Sequence, residues 1–240
     1  MDSVEDQDQL DPWWEELGPG TAASAATGLY FTATLALNRL DVLLSERETP
    51  RELRAGILNR FLVMCSGQHL DLVQTQPILE QYWQIAGAKS GAFFALACWA
   101  GARLATDHSD ILEGFDQFGF ETGLLIQILD DLMEFRYMAS SPEKKKVRSL
   151  RRSLPVVYTL EVCSEEERNR LNGLFVADYL LPEHIEEIVA AIEGNGGVLY
   201  MLMELDRHRQ LALDGLKRAK VPGSMKGKFI ALLDELHAPD

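Results

Sequence analysis

The hydrophobic and polar positions of this chain fall into helical runs separated by turn signals. From Thr21 to Leu44 a run rich in Ala, Thr and Leu predicts a helix. Its small residues, Ala22, Ala25, Ala26, Ala33 and Ala36, would let another helix approach closely, either at a subunit interface or in ordinary packing. Thr49 as N-cap, Pro50 at the first helical position and Glu52 three residues after the cap open a second helix, expected to run to about Ser66. Pro77 marks the start of a long helix through Ala105, and Ser109 caps another that continues past Phe135. Ser164 with Glu167 repeats the capping-box pattern, and Pro182 starts a helix ending near Gly194. The stretch GNGG at 194–197 breaks the chain before a helix from Val198 to about Ala219, and a last helix follows Val221, Pro222 and Gly223.

No alternating, β-branched run lies between turn signals, so a sheet has no evident source and the expected class is all-α. Residues 1–20 carry acids, Pro, Gly and the pair Trp13 and Trp14 without periodicity, and read as an acidic arm. No linker rich in Pro, Ser or Gly divides the rest, so residues 21–240 are expected to form a single helical domain. The most apolar stretch, Gly91 to Ala102, is too short to cross a bilayer and is flanked by Lys89 and Arg103. It reads as a core helix, with no membrane span.

Composition adds the material for a large core, 47% hydrophobic residues in 240, and a formal charge of −14 from 37 acidic and 23 basic residues. That charge repels phosphate backbones, so nucleic acid is not an expected partner. Cys65, Cys98 and Cys163 are odd in number and embedded in apolar sequence, which predicts reduced thiols. The acidic N-terminus lacks the order of an export signal, and a cytoplasmic location is expected.

The chemistry concentrates on one helical stretch, GLLIQILDDLMEF, where Gln127, Asp130, Asp131 and Glu134 stand at i, i+3, i+4 and i+7, bordered by Leu125, Ile128, Leu129 and Leu132. Ionised carboxylates one turn apart repel one another unless a divalent cation bridges them, and Mg²⁺ favours one or two carboxylates together with phosphate oxygens. The same row also suits a solvent-facing acidic stripe. Gln68 and Asp71 lie about one turn apart, and Lys89 stands alone among small and apolar residues, where it either meets an anion or extends to solvent. Lys144, Lys145, Lys146, Arg148, Arg151 and Arg152 form the densest basic segment, either a clamp for pyrophosphate or a solvated loop. The five histidines form no metal-hydrolase pair, and no nucleophile elbow, Walker loop or dinucleotide fingerprint is present.

Taken in order, GQHLDL, KSG, GLLIQILDDLME and SLPVVYTL resemble the trans-isoprenyl diphosphate synthases, or polyprenyl synthetases, with their GQ-x-x-D, KT, FQ-x-x-DD-x-x-D and T-x-P motifs. The resemblance implies an all-α bundle of the isoprenoid synthase fold, in which Mg²⁺ ions held by aspartate-rich helices bind an allylic diphosphate. By that resemblance Asp130, Asp131 and Glu134 would be metal ligands, Glu134 replacing the usual aspartate. Lys89 would contact diphosphate and act with Asp130 and Asp131 in catalysis, Gln68, Asp71 and Gln127 would lie at the substrate, and Ser90 stands where threonine is usual.

The family's first aspartate-rich motif has no counterpart in residues 1–67, where Asp6, Asp8, Asp11, Glu15 and Glu16 are scattered. The early helices and much of the isopentenyl diphosphate site are therefore expected to be missing. The resemblance implies a protein of isoprenoid biosynthesis that binds prenyl diphosphate or pyrophosphate through Mg²⁺ and transfers prenyl groups. The alternatives are a non-catalytic or regulatory subunit of a heteromeric synthase, or a carrier of apolar ligands. Either a homodimer or a heteromer would cover the apolar surface left by missing helices, with Trp13 and Trp14 as candidate cover.

Overall fold

The computed structural model describes residues 18–40, 49–140, 145–177 and 179–237. Helices dominate: α1 (Pro19–Asn38), α2 (Thr49–Val73), α3 (Leu79–Ala86), α4 (Ala92–Ala105), α5 (Ser109–Ser140), α6 (Val147–Arg152), α7 (Leu154–Val162), α8 (Glu165–Leu174), α9 (Pro182–Gly194), α10 (Gly197–Arg218) and α11 (Gly223–His237). The expected all-α class is what is found. A two-residue antiparallel pair, β1 (Lys145–Lys146) with β2 (Tyr179–Leu180), is the addition, and it places part of the basic segment in a strand.

The start signals acted locally as expected. Ser164 accepts the N–H of Glu167 and opens α8, Pro182 is the first residue of α9, and Gly196, at φ 77°, turns the chain into α10. Helix α2 runs to Val73, past the Ser66 end expected for it, so Gln68 and Asp71 ride on its last turns. The chain divides into two compact units, Met1–Leu62 and Val63–Asp240. In the first unit, α1 buries Ala22 but leaves Leu29, Tyr30, Phe31 and Leu35 exposed. Trp13, Trp14 and the acids of the arm lie outside the described residues.

The second unit is built around α5, about 48 Å long at 1.5 Å per residue, packed chiefly against α10 and α4. Leu125, Ile128, Leu132 and Met138 along it are fully buried. Gly119 and Gly123 let α5 lie against the backbone before it: a Cβ at Gly119 would strike the Phe94 carbonyl oxygen, and one at Gly123 that of Ser90. The expected helix from Pro77 to Ala105 starts at Leu79 and is interrupted by a π-turn, Gly87–Gly91, with the Ala92 N–H reaching back to the Gly87 oxygen. Leu79–Ala105 as a whole is long and apolar enough to cross a membrane by length and composition, and it packs one side against α5. The cysteines are free thiols, and burial pushes the Cys98 thiol up to about 11.

Candidate functional site

Asp131 lies buried about two thirds of the way along α5, 8% exposed, near the buried Leu129 and Leu132. Its neighbours explain why a carboxyl is tolerated there. Tyr82, from α3, donates its hydroxyl hydrogen to Asp131 Oδ2 at 2.8 Å, and the Leu154 backbone N–H donates to the same oxygen at 2.7 Å. Leu154 is the first residue of α7, and its N–H is one of the four that a helix start leaves without an internal partner. Pro155 fixes the backbone of that first turn. Asp131 thus caps α7 from another helix, while the local N-cap residue, Ser153, turns its hydroxyl to the Leu150 carbonyl at 2.8 Å.

Burial outweighs these donors. Desolvation pushes the Asp131 carboxyl up to about 7, with the Glu134 charge adding to the rise, against the pull of Leu154 N–H, Tyr82 and Gln127. Burial, and then the Asp131 charge, hold the Tyr82 hydroxyl well above its ordinary range. Gln127, one turn before Asp131, offers its Nε2 to Asp131 Oδ1 at 3.5 Å and accepts the Ser90 hydroxyl hydrogen at 2.8 Å.

Across the opening from Asp131 stands a three-residue charge cluster. Asp71 accepts from Lys89 Nζ at 2.7 Å and from Arg152 Nη1 at 2.8 Å, and Arg152 also reaches the Asp71 backbone oxygen at 2.5 Å. All three are largely enclosed. The π-turn helps to produce this arrangement: the consecutive residues Lys89 and Ser90 both find partners toward the site, Lys89 on α2 and Ser90 on α5. The result is an open cleft of about 140 Å³ whose walls include Asp71, Tyr82, Lys89, Gln127, Asp131 and Arg152.

The structure therefore brings Asp71, Lys89, Gln127 and Asp131 together, with Ser90 bonded to Gln127 beside them. It separates the acidic row: Asp130 is exposed and Glu134 half-buried, and neither lines the cleft. Partial burial raises the Asp130 carboxyl above its ordinary range. Gln68 is also outside the cleft wall, its side-chain nitrogen enclosed without a hydrogen-bond partner. Sequence reasoning did not single out Tyr82, and it placed Arg152 in a basic segment of undecided role. The readable signal for this wall was the Leu-Pro step at 154–155, which marks a helix start with amides to satisfy.

Among the described residues no three His, Cys, Asp or Glu side chains gather closely enough to hold a metal ion by themselves. Of the expected metal ligands only Asp131 lines the cleft, and among the described residues its Oδ1 has only the long Gln127 contact, so one carboxylate oxygen is available to an ion that would take its other ligands from water and phosphate.

The chain matches the family profile described as polyprenyl synthetase over residues 3–192. It is 24% identical over 234 residues to the tryptophan prenyltransferase ComQ of Bacillus subtilis subsp. natto, covering 97% of this chain and 69% of that protein. It is 25% identical over 230 residues to the geranylgeranyl diphosphate synthase of Mycobacterium tuberculosis, covering 93% of this chain and 63% of that one. The chain thus spans about two thirds of the length of these relatives. Among solved structures, the polyprenyl synthetase of Streptomyces coelicolor A3(2) superposes with a TM-score of 0.82 at 22% identity, over 99% of this chain and 73% of that one. The geranylgeranyl pyrophosphate synthetase of Geoglobus acetivorans gives 0.80 at 18% identity, over 99% and 75%. A buried aspartate, a lysine and an arginine converging on one cleft in an all-α bundle, with a profile match over most of the sequence, place this chain in the polyprenyl synthetase family.

Proposed function

We propose that the cleft binds the diphosphate group of a prenyl diphosphate and that the chain transfers prenyl groups to isopentenyl diphosphate. The observation that carries this reading is the convergence of Lys89 and Arg152 on the single carboxylate Asp71, facing Asp131. An ammonium and a guanidinium held on one wall are the donors that diphosphate oxygens need. At about 140 Å³ the cleft suits a head group rather than a prenyl chain, since whole-ligand pockets run to about 300 Å³ and more.

Breaking the bond between an allylic carbon and its diphosphate builds negative charge on the departing pyrophosphate, and donors fixed beforehand stabilise that charge without reorganising. Lys89 and Arg152 take this role, turning from Asp71 to diphosphate oxygens when substrate arrives. Asp71 holds both side chains in place until then. Tyr82 and the Leu154 N–H fix the Asp131 carboxyl, and Ser90 fixes Gln127. Asp131, the acid of the row that lines the cleft, would hold Mg²⁺ together with diphosphate oxygens, and the ion would supply charge neutralisation on the diphosphate. Purified protein incubated with labelled isopentenyl and allylic diphosphates and Mg²⁺ is expected to yield a longer prenyl product that Asp131→Ala and Lys89→Ala abolish. Absence of product from the chain alone would overturn the reading as a self-sufficient enzyme.

A second reading, as the regulatory subunit of a heteromeric synthase, is favoured by α1. Leu29 is 70% and Phe31 61% exposed, beside exposed Tyr30 and Leu35, an apolar surface that a second chain would cover. In that case the lone chain gives no product, yet changes the product length or rate of a complete synthase mixed with it.

A further inference from the structure

A second cleft, of about 320 Å³, shares Pro77 with the first as a wall and is bordered by Gln76, Ile78, Leu160, Glu161 and two arginines. Arg151 and Arg168 reach it from α6 and α8. The Arg151 guanidinium is held in a fixed plane: its Nη2 donates to Asn172 Oδ1 at 2.9 Å and its carbon lies 5.3 Å from the centre of the Phe175 ring. Its Nε is enclosed without a hydrogen-bond partner. Burial pulls the pKa of this guanidinium down, the mark of a cation short of compensation. Arg168 donates from Nε to the Leu160 carbonyl at 2.6 Å and from Nη2 to those of Glu161 and Cys163, at 3.0 and 3.3 Å.

Neither guanidinium pairs with a carboxylate among the described residues, in a chain with 37 acids to choose from. The one acid at the cleft, Glu161, is committed elsewhere, its Oε2 accepting the Leu79 N–H at the start of α3 at 3.0 Å. Arg168 satisfies carbonyls at the C-terminal end of α7, whereas Arg151 has only the Asn172 amide oxygen and the Phe175 ring. Two charges facing one cavity against a single acid leave a net positive site, and Ile78, Val157 and Leu160 give it apolar walls.

We infer that this second cleft binds a small organic anion, a carboxylate or phosphate on an apolar body, with the oxyanion on Arg151 and Arg168 and the apolar part against Ile78, Val157 and Leu160. The planar guanidinium suits an oxyanion with two acceptor oxygens. The site is separate from the diphosphate cleft but mechanically joined to it. Arg151 and Arg152 are consecutive residues of α6, so an anion that draws on Arg151 also moves the turn from which Arg152 grips Asp71. This inference stands whether or not the first cleft transfers prenyl groups.

The test is a titration of the full 240-residue chain with hexanoate, inorganic phosphate and uncharged hexanol, followed by the Arg151 Nε–H signal in nitrogen-15 NMR and by calorimetry. Hexanoate or phosphate is expected to move that signal saturably and hexanol to leave it in place. Hexanoate binding is expected to persist in Lys89→Met, which disables the first cleft, and to weaken about ten-fold or more in Arg151→Gln. If Arg151→Gln does not fold, the wild-type Nε titration decides alone. An Nε signal unmoved by either anion at about 10 mM, or an equal response to hexanol, overturns the inference.

Discussion

The Tyr82 hydroxyl and the Asp131 carboxyl meet at 2.8 Å, joining a short helix before the π-turn to the longest helix of the fold. The bond stabilises the charged form of a carboxyl that burial pushes toward its neutral form. Removing the donor in Tyr82→Phe is expected to raise the Asp131 pKa beyond about 7 and to cost about 2 kcal/mol of stability, as a buried hydrogen bond to a charged group does. Carbon-13 NMR of the aspartate carboxyls against pH measures the first, and urea denaturation the second.

The Asp131 pKa also sets a pH dependence. A carboxyl at about 7 in the folded chain and near its ordinary 3.8 when unfolded keeps an extra proton in the folded state between those limits. Its contribution to stability therefore falls as pH rises from about 4 to about 7 and is level above. Asp131→Asn, neutral at every pH, removes this slope. The variant is expected to gain melting temperature relative to wild type at pH 8, about 2–4 °C for each kcal/mol, and to show no such gain at pH 4. Thermal melts across that range check it.

Asp71 holds two cations at once, so Asp71→Asn removes the carboxylate that Lys89 and Arg152 share. A loss of about 2–3 kcal/mol in stability is expected from breaking this largely enclosed cluster. Affinity for pyrophosphate in the absence of metal is expected to rise about ten-fold, because the competing anion is gone. Calorimetric titration with pyrophosphate, with and without Mg²⁺, separates the two effects.

Gly123 decides how close α5 comes to the π-turn. In Gly123→Ala the new Cβ would fall on the Ser90 carbonyl oxygen, so backbone must move. The expected cost is about 1–3 kcal/mol despite the better helix propensity of alanine, with loss of the Ser90–Gln127 bond. Gly28→Ala, in the interior of α1 where a Cβ meets nothing, is the control and is expected to gain up to about 1 kcal/mol from that propensity. Chemical denaturation of both variants makes the comparison.

Ligand linkage gives a fifth expectation. Mg²⁺ with pyrophosphate at about one hundred times its dissociation constant should stabilise the fold by about 2.7 kcal/mol, and Lys89→Ala should abolish most of the gain. A melting temperature unmoved by millimolar ligand would count against the diphosphate cleft.

Much of this protein is legible without coordinates. The cap at 164 and the proline at 182 placed helix starts because they act within one turn of backbone, and glycine at 196 placed a break for the same reason. The order of GQHLDL, KSG, the acidic row and SLP gave the family, since collinear motifs on helices survive as sequence. Helical spacing could put Gln127, Asp130, Asp131 and Glu134 on one broad face, but that face is wide enough for Asp131 to be buried while Asp130 meets solvent. Which residue turns inward depends on what packs against the helix, here Tyr82 and the start of α7. The π-turn, the recruitment of Arg152 to Asp71 and the second arginine cleft likewise arise where segments far apart in sequence meet. Desolvation and long-range pairing are properties of neighbours, and only the folded chain supplies those.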